Sequence, residues 1–263
     1  MIRALYSAAS GMNAQQMNLD TIANNLANSS TTGFQERRMQ FTDLLYESQV
    51  MPGSASTHQT TVSSGLQIGL GVKPGSAEII QTQGELQSTG NPLDIAIQGG
   101  GFFQIELPSG QVGYTRAGSF HLESQGNIVT PDGNPLQPAI TVPPNATNIS
   151  IGSDGTVTAS IPGQTQAANL GAIQIATFPN AGGLNSIGNN IYLPTTASGD
   201  AIVGQPGGAD GLGTLQQSSL EQSNVSVVEQ FVEMIVAQRS YEANSRVVKA
   251  ADEMMQQLNQ LTQ

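Results

Sequence analysis

The chain has 263 residues, enough to bury at least one sizeable core, yet only 10% of them are charged and the net charge is −11. Its eight basic residues form no patch, which argues against nucleic acid or anionic lipid as a partner. Cysteine is absent, so disulfides, thiol catalysis and cysteine-based metal sites are excluded. No run approaches the ~18 apolar residues of a membrane span, so direct membrane insertion is not expected.

Residues 1–30 read as an N-terminal helical arm. Ala, Leu, Met and Gln dominate residues 2–27, proline is absent, and Leu5, Met12, Leu19 and Leu26 recur every seven residues, with Ile22 on the same side. Seven residues are two helical turns, so these side chains form one apolar stripe. Ser7, Ser10, Asn13, Gln15 and Gln16 interrupt any signal-peptide core, so no conventional cleaved signal is expected. The run Asn28-Ser29-Ser30-Thr31-Thr32-Gly33 competes with helical hydrogen bonding and ends the arm.

Residues 31–71 read as a connector followed by a long polar loop or extended hairpin. In 34–48 neither period fits cleanly, and a short helix is expected at its end. Strand signals fill 72–212, the expected β-rich domain. Runs at 94–97, 103–107, 119–122, 140–142, 149–151, 156–158 and 173–175 alternate apolar with polar or small residues. Ser109-Gly110, Gln125-Gly126, Asp132-Gly133 and Asp154-Gly155 supply turns at short intervals, which means antiparallel hairpins. The run Gly204 to Gly213 reads as a Gly-rich linker, and 213–224 is taken as the linker to the last segment.

The last segment, 225–263, reads as a C-terminal helical arm. Ser226 and Glu229 have capping-box spacing. One stripe runs through Val227, Met234, Tyr241, Val248 and Met255, and a second, with small residues, through Ala237, Asn244, Ala251 and Leu258. Asn244 has two open readings, a register-fixing polar residue inside the seam or a solvent-facing one beside it. The fold class expected is therefore α+β: two long terminal helices pairing as a coiled-coil-like element, with an antiparallel β-rich middle.

No catalytic constellation emerges. Gly99-Gly100-Gly101 precedes Phe102-Phe103 and not a helix, so a bulge or tight turn beside core aromatics explains it better than a phosphate cradle. His58 and His121 lack metal-ligand spacing, and Asp132 and Asp154 sit next to glycine, where turn formation accounts for them. No cofactor, metal or enzymatic activity is expected.

Three segments resemble signatures of the axial proteins of the bacterial flagellum. The first is Thr21 to Asn28 with Thr31-Thr32-Gly33-Phe34, including Asn24, Asn25 and Asn28. The second is Asp94 to Gly99 with Gly101-Phe102-Phe103, then Tyr114-Thr115-Arg116-Ala117-Gly118-Ser119-Phe120. The third is Met234-Ile235, Gln238-Arg239, Tyr241 to Ser245 and Asp252-Glu253-Met254. The resemblance covers essentially the whole chain, with its motifs in order.

What the resemblance implies is a structural subunit that polymerises head to tail into a hollow helical shaft, transmitting torque and conducting exported proteins. Partners implied are further copies of the chain, proximal rod proteins, the hook protein, the surrounding periplasmic and outer-membrane rings, and the flagellar type III export apparatus. Length argues against the shorter proximal rod proteins and the longer hook-type protein. The Thr/Ser/Gly-rich stretch at 49–71 favours the distal part of the rod, with the larger proximal rod subunit, similar in length and motif, as the alternative. Outside the family, the alternative is a secreted β-domain adhesin or enzyme.

Overall fold

The structure is a computed structural model, and it describes residues 2–53, 55–57, 60–61, 63–163, 166–208 and 211–261. His58 and the ends of the expected polar loop's irregular part at 54, 58, 59 and 62 lie outside the described residues, as does the side chain of Leu258. The chain divides into two compact units. One comprises residues 1–26, 37–78 and 227–263, the other 27–36 and 79–226.

The first unit holds both long helices, α1 (Ile2–Ala27) and α2 (Val227–Leu261). Between them in sequence come β1 (Arg37–Asp43), β2 (Tyr46–Val50), β3 (Ala55–Thr57), β4 (Thr60–Thr61), β5 (Leu66–Gly69) and β6 (Val72–Ile79). β1 pairs with β6, β2 with β5 and β3 with β4. Within the segment 34–48, residues 37–43 and 46–48 are strand, and the short helix expected at its end does not form. Thr42, Tyr46 and Val50 favour extended backbone over helix through branched or aromatic side chains. The β2–β5 pair is a two-stranded ribbon with Tyr46, Val50, Leu66 and Ile68 exposed along it.

Two contacts join the helices. The Asn25 side chain donates to Gln230 Oε1 at 3.1 Å. A Cβ added at Gly11 would stand 2.8 Å from Asn244 Nδ2. Asn25 lies fourteen residues after Gly11, and Gln230 fourteen residues before Asn244, so the helices run in opposite directions between these contacts. α1 also meets the start of β6, where the Val72 amide donates to Ser10 Oγ at 3.3 Å.

The second unit carries β7 (Leu86–Ser88), β8 (Ile95–Gln98), β9 (Phe102–Glu106), β10 (Val112–Thr115), β11 (His121–Leu122), β12 (Ile128–Val129), β13 (Leu136–Gln137), β14 (Asn148–Ile151), β15 (Thr156–Ser160) and β16 (Ala168–Ala172). It continues with β17 (Ile175–Thr177), β18 (Asn185–Gly188), β19 (Ile191–Leu193), β20 (Ile202–Gly204), β21 (Thr214–Gln217) and β22 (Ser219–Glu221). Its main sheet runs β18-β19-β10-β9-β17-β20, with β13 also pairing β9, and the registered pairs are antiparallel. The four expected turn pairs fall where the chain reverses, at β9–β10, β11–β12, β12–β13 and β14–β15.

β9 is buried on both faces. Phe103 belongs to a core with Ile95, Ile97, Phe120, Leu136 and Ile175, and its ring meets that of Phe120 edge-on at 5.2 Å. Phe102, its neighbour, points into a second core with Tyr114, Phe178 and Tyr192, because successive side chains on a strand face opposite ways. Two readings need correction here. Residues 140–142 form no regular strand: Ile140 and Val142 are buried, but only an isolated bridge joins Thr141 to Asn127. The linker expected at 213–224 contains β21 and β22, which pair with β8 and β7. The Gly-rich stretch before it likewise lies inside this unit, with Leu212 buried.

Candidate assembly surface and the buried polar node

The residues that α2 buries are small or polar. Gln230, Ala237 and Ala251 are buried, with Asn244 half-buried, a series spaced by sevens. The stripe of larger residues beside it is more open: Met234 and Val248 are half-buried, and Val227, Tyr241 and Met255 are exposed. Short side chains let the helix backbones approach, so burial follows size here and not hydropathy. α1 behaves alike, burying Ala8, Ala14, Ile22 and Asn25 while Leu5, Met12, Leu19 and Leu26 stay half-buried.

Opposite the buried series, the first turns of α2 expose a contiguous apolar face. Val228, Phe231, Val232 and Ile235 are 73%, 49%, 56% and 52% exposed. At 3.6 residues per turn these positions lie on the far side of the helix from Gln230 and Ala237. The sequence reading did not single out this face, because it followed the seven-residue stripe through Val227 and Met234. Farther along, the same face turns polar at Arg239, Glu242 and Arg246.

In the first unit Asn25 is a junction. Its amide donates to the Arg37 carbonyl at 2.8 Å and to Gln230, and its oxygen accepts the Arg37 amide at 3.0 Å. Asn24 is exposed and also hydrogen-bonded. Asn28, in the second unit, accepts from the Thr31 hydroxyl at 3.1 Å and helps turn the chain.

The β unit holds a buried polar node. Arg116 Nε donates to Glu221 Oε2 at 2.6 Å, with both side chains almost wholly out of water. The rest of the guanidinium caps the glycine turn, donating to the Gly101 carbonyl at 2.9 Å and the Gly99 carbonyl at 2.6 Å. The other Glu221 oxygen accepts the Gly84 amide at 3.1 Å and faces the Gln35 amide at 3.5 Å. The Glu221 carbonyl accepts the Gly33 amide at 2.8 Å. Gly33 has φ +68°, and a Cβ there would stand 2.6 Å from the Ala117 nitrogen, so only glycine fits. Phe34 is buried beside it.

Gly99, Gly101, Phe102, Phe103, Tyr114, Arg116 and Phe120 thus all have structural tasks, in the turn, the two cores or the node. Burial pushes the Tyr114 phenol above its ordinary range. The sequence reading missed Glu221, Gln230 and Asn224. One signal for Glu221 was available: an arginine in a stretch with only one other basic residue, Lys73, needs an acidic partner. Among the described residues no group of His, Cys, Asp and Glu could hold a metal ion. His121 lies exposed on β11, and no described helix is long and apolar enough to cross a membrane.

The chain matches three families in succession. They are the flagella basal body rod protein family over residues 5–35, the flagellar hook protein FlgE/F/G D1 domain over 96–159, and the flagellar basal body rod FlgEFG protein C-terminal family over 216–261. It is 47% identical to the flagellar basal-body rod protein FlgG of Buchnera aphidicola subsp. Schizaphis graminum over 99% of this chain and 100% of that protein. Identity to the protein of that name from Caulobacter vibrioides is 48%, covering 99% of each chain, and to that from Bacillus subtilis 41%, covering 98% of each. The chain belongs to the flagellar basal-body rod protein family. In this rod protein the buried node draws on all three matched stretches: Gly33 and Gln35 from the first, Arg116 from the second, Glu221 from the third. The open face of α2 lies wholly within the third.

Proposed function

We propose that the chain is a structural subunit, not an enzyme, of the distal flagellar rod, polymerising head to tail into a hollow helical shaft. The observation that carries this reading is the open apolar face of α2 at Val228, Phe231, Val232 and Ile235, in a chain whose relatives are named as rod proteins along their full length. Fully burying such a side chain contributes roughly 1.5–3 kcal/mol, so four of them at one contact make leaving the face in water unfavourable. A contact between unlike surfaces propagates a helix, whereas a self-complementary one closes a dimer.

Within the subunit, α1 and α2 act as an antiparallel coiled-coil-like pair. The matched fourteen-residue spacing of the Asn25–Gln230 and Gly11–Asn244 contacts supports this. The half-buried residues Leu5, Met12, Leu19 and Leu26 on α1 and Met234 and Val248 on α2, with the exposed Tyr241 and Met255, then complete their burial against neighbouring copies. Proximal rod proteins and the hook protein are the axial neighbours in this reading, and the surrounding rings face the periplasmic outside of the shaft. Export through the flagellar type III apparatus brings the subunit to its site.

Val232→Asp tests the reading. Val232 is already half in water, so the variant subunit should keep the wild-type circular dichroism spectrum. Burying an unpaired carboxylate at a contact costs several kcal/mol, so basal bodies purified from the variant should lack the rod under electron microscopy. Rods of normal length and number would overturn the assignment of this face.

A further inference from the structure

The β unit is joined to the rest of the chain at residues 27, 36, 79 and 226, where the backbone passes between the two units. Three of these four connections converge on one side chain. Asn224 Oδ1 accepts the Glu36 amide at 2.7 Å. Its Nδ2 donates to the Ile80 carbonyl at 2.8 Å and the Thr82 carbonyl at 3.0 Å, with Gln35 Oε1 at 3.2 Å. The Ile80 amide donates to the Glu36 carbonyl at 2.8 Å, which closes the triangle, and the Asn224 amide reaches the Phe34 carbonyl at 3.4 Å. Asn224 itself stands two residues before the exit at Ser226. All of these groups lie within the β unit.

We infer that Asn224 is a load-sharing clamp that binds the three exit segments, around residues 36, 80 and 224, into one mechanical element. An amide suits the position because it accepts through its oxygen and donates through its nitrogen, so one side chain can hold two backbone strands of opposite need. A carboxylate would face the Ile80 and Thr82 carbonyls with no proton to offer, and an alanine would leave the Glu36 amide without this acceptor. A pull arriving along one exit segment is then divided over all three hydrogen-bonded segments. In the rod reading, on which the purpose of the clamp rests, twist must pass through each subunit for its whole working life. The clamp is what keeps one exit segment from peeling away alone.

The test is hydrogen exchange on the full-length subunit carrying Asn224→Ala, compared with wild type. The amides of Glu36 and Ile80 should exchange about tenfold faster or more, while the β9 amides of Phe103 and Ile105 keep their protection. Unchanged exchange at Glu36 and Ile80 would overturn the clamp. So would equal acceleration at Phe103 and Ile105, which would make Asn224 a general support of the fold. Asn224→Gln, which keeps the amide and shifts it by one methylene, should recover part of the lost protection; no recovery counts against the side-chain hydrogen bonds as the cause. The measurement uses single subunits, so its failure leaves the rod reading standing, and loss of rods from Val232→Asp reports on that reading separately.

Discussion

Replacing Arg116 by methionine isolates the energetic weight of the buried node. In the wild-type chain the Glu221 carboxylate is fully buried, and its full counter-charge among the described residues is the guanidinium 2.6 Å away. After Arg116→Met the carboxylate keeps the Gly84 amide at 3.1 Å and the distant Gln35 amide, while the Gly99 and Gly101 carbonyls lose their donor. Removing one partner of a buried pair typically costs about 3–5 kcal/mol. Against a total stability of roughly 5–15 kcal/mol this is a large fraction. For a unit of this size it corresponds to a fall in Tm of about 6–20 °C. Urea unfolding followed by the β-sheet circular dichroism signal reads it directly. The double variant Arg116→Met with Glu221→Leu removes the stranded charge and should recover about 2 kcal/mol or more, since apolar replacement of a whole buried pair is often neutral. A single variant within about 1 kcal/mol of wild type, or a double variant no more stable than the single, would refute the reasoning.

Gly11→Leu should push the Asn244 side chain off α1, because even a Cβ there stands 2.8 Å from Asn244 Nδ2; a shifted Asn244 side-chain amide signal in NMR would mark it, and an unmoved signal would show that the two do not touch. The Thr156 hydroxyl and amide hold the Asp154 carboxyl below its ordinary range. A lowered folded value contributes stability above the unfolded pKa and loses it as pH falls through the folded value. Thr156→Val should therefore move the Asp154 titration upward in a carbon-detected NMR titration, and an unmoved midpoint would remove the hydroxyl as the cause.

The terminal helices were legible because proline is absent from both and apolar residues recur every seven positions over 26 and 35 residues. The hairpins were legible from their turn pairs. Which stripe of α2 would be buried was not. Hydropathy points to Val227, Tyr241 and Met255, yet close helix approach selects the smaller residues three positions farther on, and the choice depends on the partner helix at Gly11 and Asn25. The strands β21 and β22 escaped notice for a related reason. Their inward positions include Ser219, whose hydroxyl donates to the Gln217 carbonyl at 3.4 Å, and Glu221, whose carboxylate turns inside to meet Arg116 and the Gly84 amide. A pattern of apolar alternation carries no trace of a buried ion pair.

Because Phe102 and Phe103 are neighbours on one strand, the two cores of the β unit share a party wall. Opening either core displaces β9, and β9 carries the pairing of β10, β13 and β17 with it. Neither core therefore has a route to melt by itself, and the unit should pass between unfolded chain and folded body in one cooperative step. If the subunit is exported unfolded, as proposed above, two adjacent aromatic residues remove the half-folded states in which it could stall on arrival.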